Sequence, residues 1–373
     1  MLALPTGAGK TLAAIAAMAE LGVATLVLVP TRVLLDQWAR TIEAHAGIHI
    51  GRLGDGVHDV APLTVSTYAT AITWAPRIGD RFGFVVVDEA HHTGAWLPVE
   101  VLEMLVAPAR MGLTATPPDG AAALALGAHV GPVAYAISVA ELAGDALAPY
   151  DVVTVPLRLT PDERATYRTH RGRFAAVYGE LQRRVPGASW QEFTTAALRT
   201  AKGRDALAGW RASRALLAYP RAKQTALREL LARHPEDRIL VFTADNATAY
   251  AIARELLVVP ITADIKRPER DLMLARFRAG TAPVLVSSQV LDEGLDVPEA
   301  EVAIIVGGSG SERRHIQRIG RVLRPRPGKR ARVYELAVEA TSEVDQVSRR
   351  RRGLDGADAA DSADRAGYAE VAP

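Results

Sequence analysis

The sequence predicts an α/β fold of two parallel-sheet domains with a basic helical insertion between them. Three observations carry that expectation. Strand and helix signals alternate over residues 1–148 and again over 236–340, as in a parallel sheet covered on both faces. A glycine-rich turn joins a short apolar run to a helical pattern within the first eleven residues. The stretch between, 149–235, reads as one strand followed by helices, and from Arg158 to Arg233 it holds sixteen Lys/Arg against six Asp/Glu.

Bulk composition narrows the class. The chain has 373 residues, 49% of them hydrophobic, and roughly 100–200 residues per domain makes two or three domains. With no cysteine, disulfide frameworks, thiolate zinc sites and cysteine nucleophiles are excluded. No leader pattern and no charge-free run near the roughly 18 residues of a membrane span is present, so a cytoplasmic protein without membrane contact is expected. The net charge of +2 conceals a second basic zone, Arg313 to Arg332, with nine Lys/Arg and no acid. Most of this charge is arginine, whose planar fork suits phosphate.

Taken in order, "LPTGAGKT" places Gly7, Ala8 and Gly9 in a turn whose backbone N–H groups can cradle phosphate. Lys10 is spaced to reach the β and γ phosphates and Thr11 to hold Mg²⁺; Leu4 stands where the generic motif has glycine, and a plain turn is the alternative. The helix that follows offers an anion its N-terminal N–H groups. The first strand, "MLAL", is expected to have an exposed beginning and to support the turn weakly. "TLVLV" is a strand running into "PTRVLLDQW", and "LTVSTYAT" is a strand followed by a helix. In "FGFVVVDEAHH" an apolar strand run ends on Asp88 and Glu89, at the carboxyl end where open sheets bind ligands. There Asp88 would hold Mg²⁺ and Glu89 would accept a proton from attacking water, a helix cap being the alternative. "MGLTATPP" sets Thr114 and Thr116 on a strand-to-loop turn.

After the strand-like "YDVVTVPLRL", a helix starts at "TPDER", with Thr160 capping and Pro161 in the first turn. Helical signals then continue to about His234. "RILVFTADNATAYAIARELL" is strand then helix, and "PVLVSSQVLDEGLDVPEAEVAIIV" gives two strands. "QRIGRVLRP" on a predicted helix puts Arg321 and Arg324 three residues apart, on one face. The Ala/Asp-rich end is expected to be disordered beyond about 345.

In this order and spacing, over residues 1–336, the motifs resemble superfamily 2 helicases of the DEAD/DEAH-box type and look most like the XPB/Rad25-like group; "DEAHH" is also close to type I and III restriction motors. The resemblance implies RecA-like domains, ATP and Mg²⁺ as cofactors, and a thumb-like role for the basic insertion. It implies catalytic roles for Lys10 and Glu89, with Arg321 and Arg324 as arginine fingers. Gly294, Asp296 and Gln317 would join the phosphate turn, Lys10, Thr11 and Asp88 around the nucleotide. Pro30, Thr31, Arg32, Thr243, Ser288 and Gln289 would meet the nucleic-acid strand, as would Ser66 and Thr67 unless they are only caps. His91, Thr114 and Thr116 would link the ATP and nucleic-acid sites. Family members carry upstream residues that contact adenine, so relative to them the chain is expected to be N-terminally truncated. The function implied is an ATP-dependent DNA helicase or translocase, moving 3′ to 5′ in repair or defence, gripping DNA with little sequence preference and working with a repair or nuclease partner. RNA remodelling is disfavoured because "HRIGRTGR" is absent. A nucleotide-gated DNA-binding subunit of low activity is the non-enzymatic alternative.

Overall fold

The computed structural model describes residues 1–118, 120–144, 147–288, 300–308, 320 and 330–355. Its first sheet holds β1 (Leu2–Ala3), β2 (Thr25–Val29), β3 (Gly51–Gly54), β4 (Val57–His58), β5 (Leu63–Thr67), β6 (Phe84–Asp88), β7 (Ala109–Thr114) and β8 (Tyr135–Ala136). The order is β4-β3-β5-β2-β6-β7-β1-β8, and all pairs are parallel except β3 with β4. Every residue of β2 and β6 is buried, which is why both read as unbroken apolar runs. Leu26 and Leu28 face one core with α3 (Tyr68–Ile78), α4 (Val99–Met104) and α5 (Gly120–Val130). Val27 and Val29 face the other, with α1 (Lys10–Leu21) and α2 (Arg32–Ala46).

The expected weak first strand is corrected. β1 is not exposed: Leu2 pairs with Leu113 on one side and Tyr135 on the other, and Met1, Ala3 and Leu4 are buried. Pairing on both sides satisfies the backbone of even a two-residue strand.

The second sheet holds β9 (Tyr150–Leu157), β10 (Ile239–Phe242), β11 (Val259–Ile261), β12 (Val284–Ser287), β13 (Val302–Ile305) and β14 (Ala331–Val338). Its order is β11-β12-β10-β13-β14-β9, all parallel. The strand expected as a connector, β9, is the edge strand of this sheet, in register with β14 from Tyr150 opposite Ala331 to Leu157 opposite Val338. The second lobe therefore starts at β9, before the insertion.

A short helix, α6 (Val139–Leu142), precedes β9, and the insertion proper is α7 (Pro161–Arg184), α8 (Trp190–Leu198) and α9 (Ala201–Ala218). Thr160 and Glu163 form a capping box with Pro161 at the first turn. Phe174, Phe193, Ala197 and Leu207 are its own small core. The next helix, α10 (Arg221–Arg233), belongs instead to the second lobe, because Ala226, Leu227 and Leu230 pack on Ile239 and Val241. Helices α11 (Asn246–Leu256) and α12 (Arg267–Arg278) complete the cover.

Disorder from about 345 is also corrected, since α13 spans Ser342–Asp355. Lys223 Nζ, fully buried, donates to Glu343 Oε1 at 2.6 Å and to Leu217 O at 2.8 Å. Val347 is buried, and Arg350 lies 3.7 Å from the buried Glu335. Composition predicted a solvated tether; these partners lie far away in sequence and are visible only in the fold. Residues 356–373 lie outside the described residues. No described helix is long and apolar enough to cross a membrane.

Candidate nucleotide site and nucleic-acid face

The phosphate turn joins β1 to α1. Gly7 and Gly9 have φ of 91° and 84°, the left-handed region that strains any side chain. Gly9 is also the N-cap of α1, whose first turn carries no acid, so its orphan N–H groups and dipole favour an anion. Lys10 Nζ donates to Leu4 O at 3.0 Å and Pro5 O at 3.3 Å. The cation lies folded over the turn's own carbonyls. Ala8 and Thr11 complete this cluster, so the sequence-predicted cradle is one local object.

Asp88 ends β6, buried. Its Oδ2 accepts from the indole Nε1–H of Trp38 at 2.8 Å, and its Oδ1 accepts from Glu89 N–H at 3.0 Å. Burial pushes its carboxyl above the ordinary range, opposed by the Trp38 bond, the Lys10 charge and the Glu89 N–H. Below it, Tyr68 O–H donates to Asp88 O; burial, then the Asp88 and Glu89 charges, hold that phenol well above its usual value. Glu89 itself has φ of 50°, which turns its side chain away from the strand direction. The Thr11 hydroxyl and Asp88 carboxylate would offer oxygen donors alone, and each Asp88 oxygen keeps acceptor capacity beyond one hydrogen bond. That chemistry fits Mg²⁺.

The three expected linking residues do meet. His91 Nδ1 is 3.0 Å from Thr114 Oγ1, which donates to Thr116 O at 3.0 Å and accepts from Thr116 N at 3.2 Å. With the hydroxyl's single proton directed to Thr116 O, the neutral His91 tautomer that fits is the one protonated at Nδ1. His91 Nδ1 also lies 3.4 Å from Glu89 Oε2.

Pro30, Thr31 and Arg32 lie where β2 turns into α2, at the carboxyl end of the sheet. Thr31 Oγ1 caps α2 by accepting from Leu34 N at 3.3 Å, while exposed Arg32 pairs with Asp55 at 2.5 Å. The other hydroxyls have partners within the protein. Ser66 is fully buried in β5 and donates to Thr67 O, and Thr67 caps α3 through Thr70 N. Thr243 is fully buried and donates to Asp245 O at 3.0 Å. Ser288 is 2% exposed and donates to Asn246 Oδ1. The Ser66, Thr67 and Thr243 hydroxyls close local turns or caps, the commonest use of short hydroxyls at strand ends, while that of Ser288 ties β12 to the start of α11.

Gln289, Gly294, Asp296, Gln317, Arg321 and Arg324 lie outside the described residues. Within "QRIGRVLRP" the described residue is Gly320, and it lies on the phosphate turn: a Cβ there would meet Thr6 Cβ at 2.7 Å and Thr6 O at 2.8 Å. Two further contacts cross between the lobes. Arg267 Nη2 donates to Asp36 Oδ2 at 2.8 Å, and Val33 packs on the second lobe's core. Trp38, Asp36 and Tyr68 were not singled out from the sequence. For Trp38 the available signal was its place on the buried stripe Leu35, Trp38, Ala39, Ile42.

Comparisons agree with this geometry. The family described as "Type III restriction enzyme, res subunit" matches residues 1–119, and "Helicase conserved C-terminal domain" matches 222–326. The chain is 35% identical to the DNA 3′-5′ translocase XPB2 of Sulfurisphaera tokodaii, over 94% of this chain and 80% of that protein. It is 31% identical to a putative DNA 3′-5′ helicase Rad25 of Halobacterium salinarum, and 28% to the DNA 3′-5′ helicase XPB of Mycobacterium tuberculosis. It spans 53% and 60% of those two longer proteins. The Pyrococcus furiosus Hef helicase domain superposes with a TM-score of 0.60 at 20% identity, covering 94% of each chain. Saccharomyces cerevisiae Dbp5 bound to RNA and ADP BeF3 does so at 0.63 and 16% identity, over 95% of this chain and 83% of that one; these two show the RecA-like fold. Similarity that runs through both lobes and the insertion, together with a phosphate turn, an acid pair and a second-lobe glycine seated on that turn, places this chain in the XPB/Rad25-like group of superfamily 2 helicases.

Proposed function

We propose that this chain is a DNA-dependent ATPase that translocates on or unwinds DNA with 3′ to 5′ polarity, its Mg·ATP held between the two lobes. The observation that carries the reading is Gly320 against Thr6. Gly320 belongs to the arginine-rich segment, in which Arg321 follows it directly in sequence.

On this reading the triphosphate draws Lys10 off Leu4 O and Pro5 O and takes the N–H groups of the turn. Thr11 and Asp88 would hold Mg²⁺, which would supply charge neutralisation to the phosphates. Glu89 accepts the proton of the attacking water, and Arg321 and Arg324 compensate the charge that develops. His91, Thr114 and Thr116 tie the Glu89 turn to β7, so a shift at the strand-binding edge is felt beside the base. Arg32 and the arginines of α7 and α9 grip phosphates without reading bases. Such grip weakens steeply with salt. A role in DNA repair accords with the Dictyostelium discoideum relative, 24% identical over 95% of this chain, that is named a subunit of general transcription and DNA repair factor IIH.

The test is ATP hydrolysis titrated with single-stranded DNA, duplex DNA and RNA, with Lys10→Ala as control. Stimulation by DNA well above that by RNA is expected, as is displacement of streptavidin from the 5′ end of a strand but not the 3′ end. Equal or absent stimulation by all three rejects the reading, and preferential stimulation by RNA replaces it with RNA remodelling.

A further inference from the structure

Helix α2 touches the other lobe, the candidate strand-binding edge and the candidate magnesium carboxylate within two turns. Its N-terminus carries Thr31 and the exposed Arg32. Val33 packs on the second lobe's core, and Asp36 accepts from Arg267 of that lobe at 2.8 Å. Two residues on, Trp38 donates to Asp88 Oδ2 at 2.8 Å. With a rise of about 1.5 Å per residue, the lobe contact and the indole are separated by only about 3 Å along the helix axis.

The physical setting makes this more than a satisfied polar group. Trp38 is 1% exposed and packs with Leu35, Ala39, Ile42 and the β2 and β6 side chains Val27 and Val86. Close-packed interiors pass displacements on instead of absorbing them. A rigid indole on a helix that the second lobe grips moves with that helix, and Asp88 is the group its N–H holds. The Asp88 carboxylate is thus gripped at Oδ2 by an indole on the helix that the second lobe contacts and at Oδ1 by its own neighbour's N–H.

We propose that Trp38 is a positioning residue: its indole N–H orients the Asp88 carboxylate for Mg²⁺ and delivers to it the state of the lobe and strand contacts made by α2. This rests on the reading of Asp88 as the magnesium carboxylate. Groups that orient metal ligands are typically worth roughly 10–100-fold in metal affinity. Trp38→Phe removes the donor and keeps an aromatic ring in the core.

The test uses the full chain. ADP binding to the parent and Trp38→Phe is measured by calorimetry across Mg²⁺ concentrations, without DNA. The Mg²⁺ needed for half-saturation is expected to rise roughly tenfold, with metal-free ADP affinity unchanged; an unchanged Mg²⁺ requirement in the folded variant overturns the proposal. The second measurement needs no core substitution. Indole N–H resonances of ¹⁵N-tryptophan-labelled parent are followed as single-stranded DNA is added; Trp38, the buried one of five tryptophans, is the slowest to exchange with solvent. Its resonance is expected to shift with DNA in the parent and much less in Asp36→Ala, which removes the acceptor of Arg267. No shift, or equal shifts in both proteins, overturns the relay. If DNA does not bind at all, the proposed function fails, while the DNA-free Mg²⁺ titration still decides the role of the indole.

Discussion

Gly320 lies so close to Thr6 that a methyl group on it would stand 2.8 Å from Thr6 O, and this contact joins the second lobe to the phosphate turn of the first. Gly320→Ala is expected to hold the lobes apart while leaving each one folded. Overpacking of this kind costs roughly 1–3 kcal/mol, and about 1.4 kcal/mol is tenfold in rate. DNA-stimulated ATP turnover should therefore fall about tenfold or more, with the thermal unfolding midpoint nearly unchanged. Unaltered turnover would mean that this contact is not part of the working cycle.

Lys10 and Glu89 should separate binding from hydrolysis. Lys10 spends its hydrogen bonds on Leu4 O and Pro5 O, so Lys10→Ala should lower stability only by the roughly 0.5–1.5 kcal/mol of such a bond. It should also abolish the stabilisation that Mg·ADP confers on the parent. Glu89→Gln should keep that thermal shift and lose roughly 10²–10⁴-fold in turnover, the usual contribution of a general base.

The buried pair Lys223–Glu343 anchors α13. Removing one partner of a buried pair typically costs roughly 3–5 kcal/mol, so Glu343→Gln should markedly lower the unfolding midpoint. The pH dependence has a definite sign. Burial lowers the Lys223 pKa in the folded protein, against the raising effect of Glu343. The unfolded lysine, near 10.5, then binds a proton at pH values where the folded one has lost it. Stability from this group rises with pH between the lowered folded value and 10.5. Without Glu343 the folded value drops further, so the variant should recover stability relative to the parent as pH is raised from its own folded value to the parent's, and run parallel to the parent above that. Denaturant titrations at several alkaline pH values read this directly.

Arg211 and Arg214 of α9 line a cleft with Asp245, Gly307 and Gly308 of the second lobe, and the Arg214 guanidinium lies 5.1 Å from the Trp210 ring centre. The cleft opens at the carboxyl ends of β10 and β13, where the strand order changes direction. If these arginines neutralise DNA phosphates, the double variant to alanine should flatten the dependence of log affinity on log salt by about 0.7 per lost contact on a single strand. Nucleotide affinity should stay the same.

What could be read from the chain alone was whatever is encoded within a few consecutive residues. The phosphate turn needs glycine at two left-handed positions and a lysine next to them, so "GAGKT" announces it. The acid pair follows an apolar strand that must be buried, and the capping box at Thr160 lies within four residues. Strand pairing, by contrast, depends on partners far away in sequence. That is why β9 looked like a connector until β14 was seen beside it, and why a two-residue β1 looked weak until β7 and β8 enclosed it. The partners of the Ser66, Thr243 and Ser288 hydroxyls were hidden for the same reason, because sequence does not reveal which neighbour takes a proton.

The sequence by itself determined the two sheets, the chemistry of the nucleotide site and the family, because those rest on local spacing and apolar pattern. Only the tertiary structure decided that Trp38 grips Asp88, that Asp36 meets Arg267, that Gly320 rests on Thr6 and that α13 docks on Lys223. Each of these joins segments tens to hundreds of residues apart, and the energy that selects them arises only when packing removes both groups from water.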